Sequence, residues 1–283
     1  MDRPNFNTIW LNHACKLSMV GEKIDPRGKA TKELLHQSIS LDMRRPVLTI
    51  PGRKMHYKFM AAEAYWILTG DDKVEGIAPF NKRISEFSDD GERFFGAYGP
   101  KIIDQLPYVV QKLEEDPFSR QAGLTIWREN PPATKDVPCT ISVFFSIRDE
   151  LLHVHANMRS SDIWLGIPYD AFNFSMLGHL VCCRLNACRE KNQGVVRPGT
   201  LTITMTSSHL YVENEEALTE LAKVAAKDII IGVLANEKPK FMEERQPSTP
   251  SVLYIVEDTL MAILKDLRKT SPGDPLRWWE GEE

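Results

Sequence analysis

The chain has 283 residues, 42% hydrophobic and 26% charged, which suffices for a sizeable core in one large domain. A formal charge of −4 and a pI of about 6.0 argue against stable binding of duplex nucleic acid, which calls for a basic excess; a few local arginines still suffice for a small anionic ligand. No apolar run approaches the roughly 20 residues that span a bilayer, and MDRPNFNTIW lacks a basic-then-apolar signal pattern. Five cysteines without a CxxC pair fit a reduced, cytoplasmic setting with no membrane association.

After a turn at Asp25-Pro26-Arg27-Gly28, residues 30–45 read as a helix. A second helix covers about 57–69 and stops at Gly70. A Gly/Asp-rich stretch ending in FFGAYGPKI leads to a third helix from Leu106 to Glu115, broken by Pro117. The middle is strand-rich: residues 121–127, 140–147 and 151–157 carry β-branched and aromatic side chains, with Arg148-Asp149-Glu150 as a hairpin-like link. From Pro168, suited to a first helical turn, a long apolar helix runs toward Cys188. Residues 201–208 read as a strand, 217–235 begin as a helix, and VLYIVEDTLMAILKDLRK reads as helical too. Helices and strands mix without a regular βαβ beat, so the class is α+β.

Cys139 lies in Asp136-Val137-Pro138-Cys139-Thr140, just before an apolar strand. A lone cysteine there is most often a small buried residue. Twenty residues on, Arg159-Ser160-Ser161-Asp162 is followed by Gly166-Ile167-Pro168-Tyr169-Asp170. An arginine, two hydroxyls and a helix N-terminus within twelve residues can hold an anion; a solvated loop leading into a capped helix has the same composition. Glu63 sits in AEAYW, among apolar neighbours. It is either an exposed helix residue or a partly buried carboxyl with a raised pKa, useful for moving protons. His153 and His155 alternate on one strand face, but no Cys or carboxylate pair accompanies them at ligand spacing, so no metal is expected.

Taken in order, VPC, a strand hairpin, RSSDIWLGIPYDAFNFSMLGHL and SSHLYVEN resemble the core of the thymidylate synthase family. DPRG near residue 27, AEAYWILTGD at 62–71, GAYG at 96–99 and DPFSR at 116–120 agree, so the resemblance spans about residues 20–215. It implies a large mixed sheet packed with helices, in a homodimer joined sheet to sheet. It implies one domain over 1–283 with a divergent segment from about 236. It implies a nucleotide and 5,10-methylenetetrahydrofolate as ligands, the folate being a cosubstrate.

The same resemblance distributes roles. Cys139 matches the nucleophile that adds to C6 of the pyrimidine, with Arg159 beside its sulfur as a phosphate ligand. Arg27 and Ser160 match phosphate ligands, and Arg120 matches a phosphate arginine supplied by the other subunit; Gln121 stands where the family has a second arginine. Glu63 matches the proton-moving glutamate and Tyr98 the tyrosine that assists proton removal from C5. Asp162 and Gly166 match folate-binding positions, and His209 and Tyr211 the pair that bonds the sugar 3′-hydroxyl.

Two departures bear on the reaction. Thymidylate synthases carry Asn where this chain has Asp170, and a carboxylate suits the N4 amino group of cytosine. In the first helical turn the helix dipole also favours an anion. The substitution resembles the phage deoxycytidylate hydroxymethylases of the family. NKRISEFS (81–88) lacks the family tryptophan that shields the methylene intermediate; Ser85 and Phe87 are the nearest candidates. The C-terminal LRWWEGEE replaces a short apolar tail, with Trp278 and Trp279 as possible substitutes. The expectation is a dCMP 5-hydroxymethyltransferase, with a role in making modified DNA. dCMP methylation, hydroxymethylation of dUMP or CMP, and a non-catalytic nucleotide- or RNA-binding homologue are the alternatives.

Overall fold

The computed structural model describes residues 5–188 and 194–235. Helix α1 (Phe6–Val20) starts where the Asn5 side chain accepts from Thr8 N, a side-chain cap on an otherwise unpaired donor. Strands β1 (Glu22–Ile24) and β2 (Thr31–Asp42) flank a 3-10 turn at Pro26–Gly28. Helices α2 (Tyr57–Leu68), α3 (Val74–Ile77) and α4 (Tyr98–Glu115) follow, then β3 (Gly123–Thr125), β4 (Thr140–Arg148) and β5 (Leu151–Asp162). Helix α5 (Ile167–Cys188) leads into β6 (Arg197–Tyr211), and α6 (Glu215–Ala235) follows.

The strands form one sheet in the order β1-β2-β6-β5-β4-β3. Every pair is antiparallel except β5–β6, which α5 connects as a crossover. Asp149 and Glu150 turn β4 into β5 with φ of 51° and 58°, the backbone hand that matches strand twist in a two-residue hairpin. Alternation places Leu152, Val154, Ala156 and Met158 of β5 and Leu201, Ile203 and Met205 of β6 in the core. Helix α5 packs on those two strands, with α2 and α4 against it. Being covered on several sides, α5 is apolar around its circumference. The opposite sheet face carries Ser38, Ser40, Phe144, His155 and Thr206, all exposed.

Residues 30–45 correct the sequence expectation: β2 replaces the helix, paired with β6 from Thr31↔Tyr211 to Asp42↔Thr200. His36 sits at φ 54° and interrupts the alternation. Leu34 packs on the core before it, and Ile39 and Leu41 after it. An odd separation of apolar residues across one left-handed residue imitates helical spacing. Helix α4 starts at Tyr98 and not at Leu106, running through Pro107. Pro100, in the first turn, suits a helix start that the Gly/Asp-rich composition before it conceals. The expected helix in VLYIVEDTLMAILKDLRK, and Trp278 and Trp279, lie outside the described residues. No helix among the described residues is long and apolar enough to cross a membrane.

Candidate active site

The site is built where β5 ends. Thr140 pairs with Met158, and Arg159 N donates to Cys139 O at 2.8 Å, so the cysteine and the arginine are neighbours across two strands. The Arg159 guanidinium is held by the loop before the cysteine: Nε donates to Pro138 O (3.0 Å), Nη2 to Val137 O (2.9 Å) and Nη1 to Ser160 Oγ (3.1 Å). Three bonds to fixed acceptors give the planar fork one orientation. Cys139 Sγ lies 3.9 Å from Ser160 Oγ. Burial pushes the Cys139 thiol up; Arg159 pulls it down, as its position suggests, but burial outweighs it and Asp170 adds to the rise. The balance favours the neutral thiol form of Cys139.

Tyr98, at the start of α4, accepts from Thr140 N through its hydroxyl at 3.2 Å, which fixes the phenol one residue from Cys139. Burial first, then the nearby Cys139 and Asp170, push its pKa up, so it stays a neutral donor. Thr140 Oγ1 is buried without a partner.

Helix α5 begins at this cluster. Gly166 makes the turn into it: a Cβ there would stand 3.0 Å from Asp162 O and 3.3 Å from Ser161 Oγ. Asp170, in the first turn, receives Ser161 Oγ–H on Oδ2 at 3.2 Å. Its carboxyl is pushed up to about 7 by burial and then by the charge of Glu63. Glu63, from α2, is likewise pushed up to about 7 by burial, against which Asn173 Nδ2 donates to Oε2 at 2.8 Å. Both side chains are half-buried, deep enough to lose much of their hydration. The charge of Glu63 is thus one reason Asp170 holds its proton toward neutrality.

Asp162 closes the end of β5. Its Oδ1 accepts from Trp164 N (2.7 Å) and Leu165 N (3.0 Å), the turn that Asp side chains favour, and its Oδ2 is buried without a partner. Burial raises its pKa. Asp162 pairs across the parallel register with His209, whose ring meets that of Tyr211 edge-on at 5.4 Å. Burial lowers the His209 pKa and raises that of Tyr211; the charge of Arg27 lowers both. Arg27 sits at φ 57° in its exposed turn, and Lys29 Nζ lies 5.6 Å from the Tyr211 ring centre.

Cys139, Glu63, Tyr98, Asp170, Arg159, Ser160, Asp162, Gly166, His209, Tyr211 and Arg27 are thus brought to one end of the sheet. Arg120 is not. Phe145 N donates to Ala122 O, so the chain after Arg120 joins β4 six residues beyond Cys139, about 20 Å along the strand. Arg120 and Gln121 are exposed there, near Phe118, which lies under the Arg148 guanidinium. Residues 82–87 form a 3-10 turn on which Phe87 is 55% exposed. His153 and His155 open on the uncovered sheet face, and among the described residues no group of three or more His, Cys, Asp or Glu could hold a metal.

The sequence reading missed two members. Asn173 follows Asp170 by three residues, a helical spacing that could have revealed it. Arg53 stacks over the Trp164 ring at 4.2 Å and donates to Trp164 O at 2.7 Å, with its Nε buried and unpartnered; it precedes α2 in an irregular stretch that carried no signal.

A family profile described as thymidylate synthase matches residues 10–244, and the chain belongs to that family. It is 31% identical over 170 residues to a deoxyuridylate hydroxymethyltransferase of Bacillus phage SP01. The matched stretch covers 52% of this chain and 43% of that protein, so the chain spans less than half the length of this relative.

Proposed function

We propose that the chain is a pyrimidine nucleotide C5 one-carbon transferase that takes dCMP and 5,10-methylenetetrahydrofolate and forms 5-hydroxymethyl-dCMP. The observation that carries this reading is the convergence of Cys139, Arg159, Tyr98, Glu63 and Asp170 at the end of β5. Arg159, Arg27 and Ser160 hold the phosphate, and His209 and Tyr211 bond the sugar hydroxyl. Cys139 sulfur bonds to C6 while the C5=C6 electrons move toward C5, making that carbon nucleophilic. As the bond forms the thiol proton passes through water to the Glu63 carboxylate, whose proton affinity suits it to moving protons at the ring. Tyr98 stands beside the sulfur as the neutral hydroxyl that assists loss of the C5 proton.

The folate supplies the one-carbon unit. Buried Asp162 Oδ2 suits an N–H donor of that ligand, and Gly166 keeps side-chain bulk out of the approach. Departure of tetrahydrofolate leaves a methylene on C5; water adds to it where a synthase would deliver hydride, and the Cys139 sulfur then leaves C6 to restore the ring double bond. The absence of tryptophan from 81–88 supports this, as does the name of the phage relative. Two chains pair through the uncovered sheet face and bring Arg120 to the partner's phosphate; its distance from Cys139 within one chain supports this arrangement.

Asp170 reads the base. A carboxyl near pKa 7 is available as the acid, which donates O–H to the bare cytosine N3 and accepts from the N4 amino group. The same acid reversed accepts from uracil N3–H and donates to O4. That makes dUMP the second reading, which the phage relative's name favours. Incubation with folate and dCMP, dUMP or CMP, followed by mass spectrometry, tests both. A gain of CH2O on dCMP is expected; a gain of CH2 would make the chain a methyltransferase, a gain on dUMP alone would move the substrate, and no product would leave a binding protein.

A further inference from the structure

Glu63 is the lone carboxyl of α2, flanked by Met60, Ala62, Ala64 and Trp66. Among the described residues, the one side chain that hydrogen-bonds it comes from the facing helix: Asn173 Nδ2 donates to Glu63 Oε2 at 2.8 Å. Asn173 is only 7% exposed, and its Oδ1 is buried with no hydrogen-bond partner. A buried acceptor left unpaired in this way calls for an explanation. A primary amide has a donor end and an acceptor end of nearly the same shape, and half a turn about its last torsion exchanges them.

We propose that Asn173 is a positioning residue that holds Glu63 in both of its protonation states. Nδ2 donates to the carboxylate; with the amide turned over, Oδ1 accepts from the carboxylic acid. Glu63 then gives up and regains a proton without leaving its place. The inference rests on the reading of Glu63 as a proton carrier and adds the device that steadies it.

The surroundings leave this task to Asn173. Asp170 and Tyr169 approach from α5; beyond Asp170 stand Tyr98 of α4, Cys139 before β4 and Asp162 at the end of β5. All are acids. Among the described residues no Lys, Arg or His acts on Glu63 or Asp170. A cation in place of Asn173 would lock Glu63 as the anion, and an apolar side chain would lock it as the acid. An amide does neither, which suits a carboxyl poised at about 7.

The test is a carboxyl carbon-13 NMR titration of glutamate-labelled protein, with Glu63→Gln assigning the signal, in wild type, Asn173→Leu and Asn173→Asp. Loss of a donor to the charged form should raise the Glu63 midpoint by about one pH unit or more in both variants. The acid limb of the kcat profile should rise with it. In wild type the Asn173 side-chain amide signals should change with the same midpoint. A Glu63 midpoint unmoved in a folded variant, even with turnover lost, would overturn the proposal and leave Asn173 a packing residue. Amide signals indifferent to Glu63 titration would overturn the exchange of ends. If Asn173→Leu does not fold, the isosteric Asn173→Asp decides. A shifted midpoint in a protein that converts neither dCMP nor dUMP would sustain the pairing and sink the functional reading instead.

Discussion

Strand β5 carries polar side chains at both of its ends, and they meet opposite surroundings. Near its start, His155 Nε2 bonds Thr204 Oγ1 at 2.8 Å and His153 Nδ1 accepts from Thr200 N at 3.3 Å, on a face left open among the described residues. At its end, Arg159 to Asp162 meet the 137–139 loop and the first turn of α5, while Tyr98 of α4 bonds Thr140 and Glu63 of α2 bonds Asn173 of α5. At that end burial shifts the carboxyls of Glu63 and Asp170, the Cys139 thiol, the Tyr98 phenol and the His209 imidazole together. Residue type supplies potential; convergence of several elements supplies the burial that changes a pKa.

The sharpest way to break this contrast is at the thiol. Cys139→Ser should lower turnover by several orders of magnitude, because an alkoxide is far scarcer than a thiolate at neutral pH. Thermal unfolding should stay close to wild type. Near-normal kcat in this variant would remove Cys139 from the chemistry.

Next comes the one arginine stranded away from the cluster. If Arg120 serves the partner's phosphate, Cys139→Ser and Arg120→Ala chains are each inactive, and mixing them restores activity at hybrid sites that regain both groups. No recovery after verified subunit exchange would confine the site to one chain.

Asp170→Asn tests the base and the buried charge together. It should shift the ratio of kcat/KM from dCMP toward dUMP by roughly tenfold or more, because the amide pairs with either base edge but has no transferable proton to give the bare cytosine N3. An unmoved ratio would mean that Asp170 does not read the base. The same variant should gain stability in alkaline solution. The Asp170 carboxyl has a folded pKa of about 7, against about 4 when unfolded. Between those values the folded chain binds the extra proton, so stability falls as pH rises from about 4 to 7, and the penalty is complete above 7. Chemical denaturation at pH 8 should show Asp170→Asn more stable by about 1–3 kcal/mol, with little difference at pH 4. Equal stabilities at pH 8 would mean that the folded carboxyl is not strained by burial.

The smallest effect belongs to the other end of β5. His155→Ala removes one hydrogen bond on the open face and should cost less than about 1 kcal/mol, with kcat within about twofold in the assembled protein. A large loss of kcat with assembly intact would show that the open face reaches the site and would undo the contrast.

How far the sequence reaches differs from element to element. The stretch from Cys139 to Asp170 was legible because its parts lie close along the chain: a hairpin and one crossover turn bring them together, and the turn residues Asp149, Glu150 and Gly166 signal where. β2 was misread because His36 breaks the period of its apolar residues, and pairing with β6, which the local pattern does not contain, decides the matter. Arg53 reached the site with no local warning, since an irregular segment is placed by what it packs against.

By itself the sequence determined the α+β class, the thiol beside an arginine, the carboxyl in place of an amide at Asp170, and the order of motifs that marks the family. These are properties of residue type and short spacing, and they survive without coordinates. Only the tertiary structure decided that Glu63 and Asp170 share one buried environment and that Asn173 bonds the first of them. It also decided that burial outweighs Arg159 at Cys139, and that Arg120 is remote from its own chain's cysteine. Desolvation and charge coupling depend on what surrounds a group within a few ångströms, and Glu63 lies more than a hundred positions along the chain from Asp170 and Asn173.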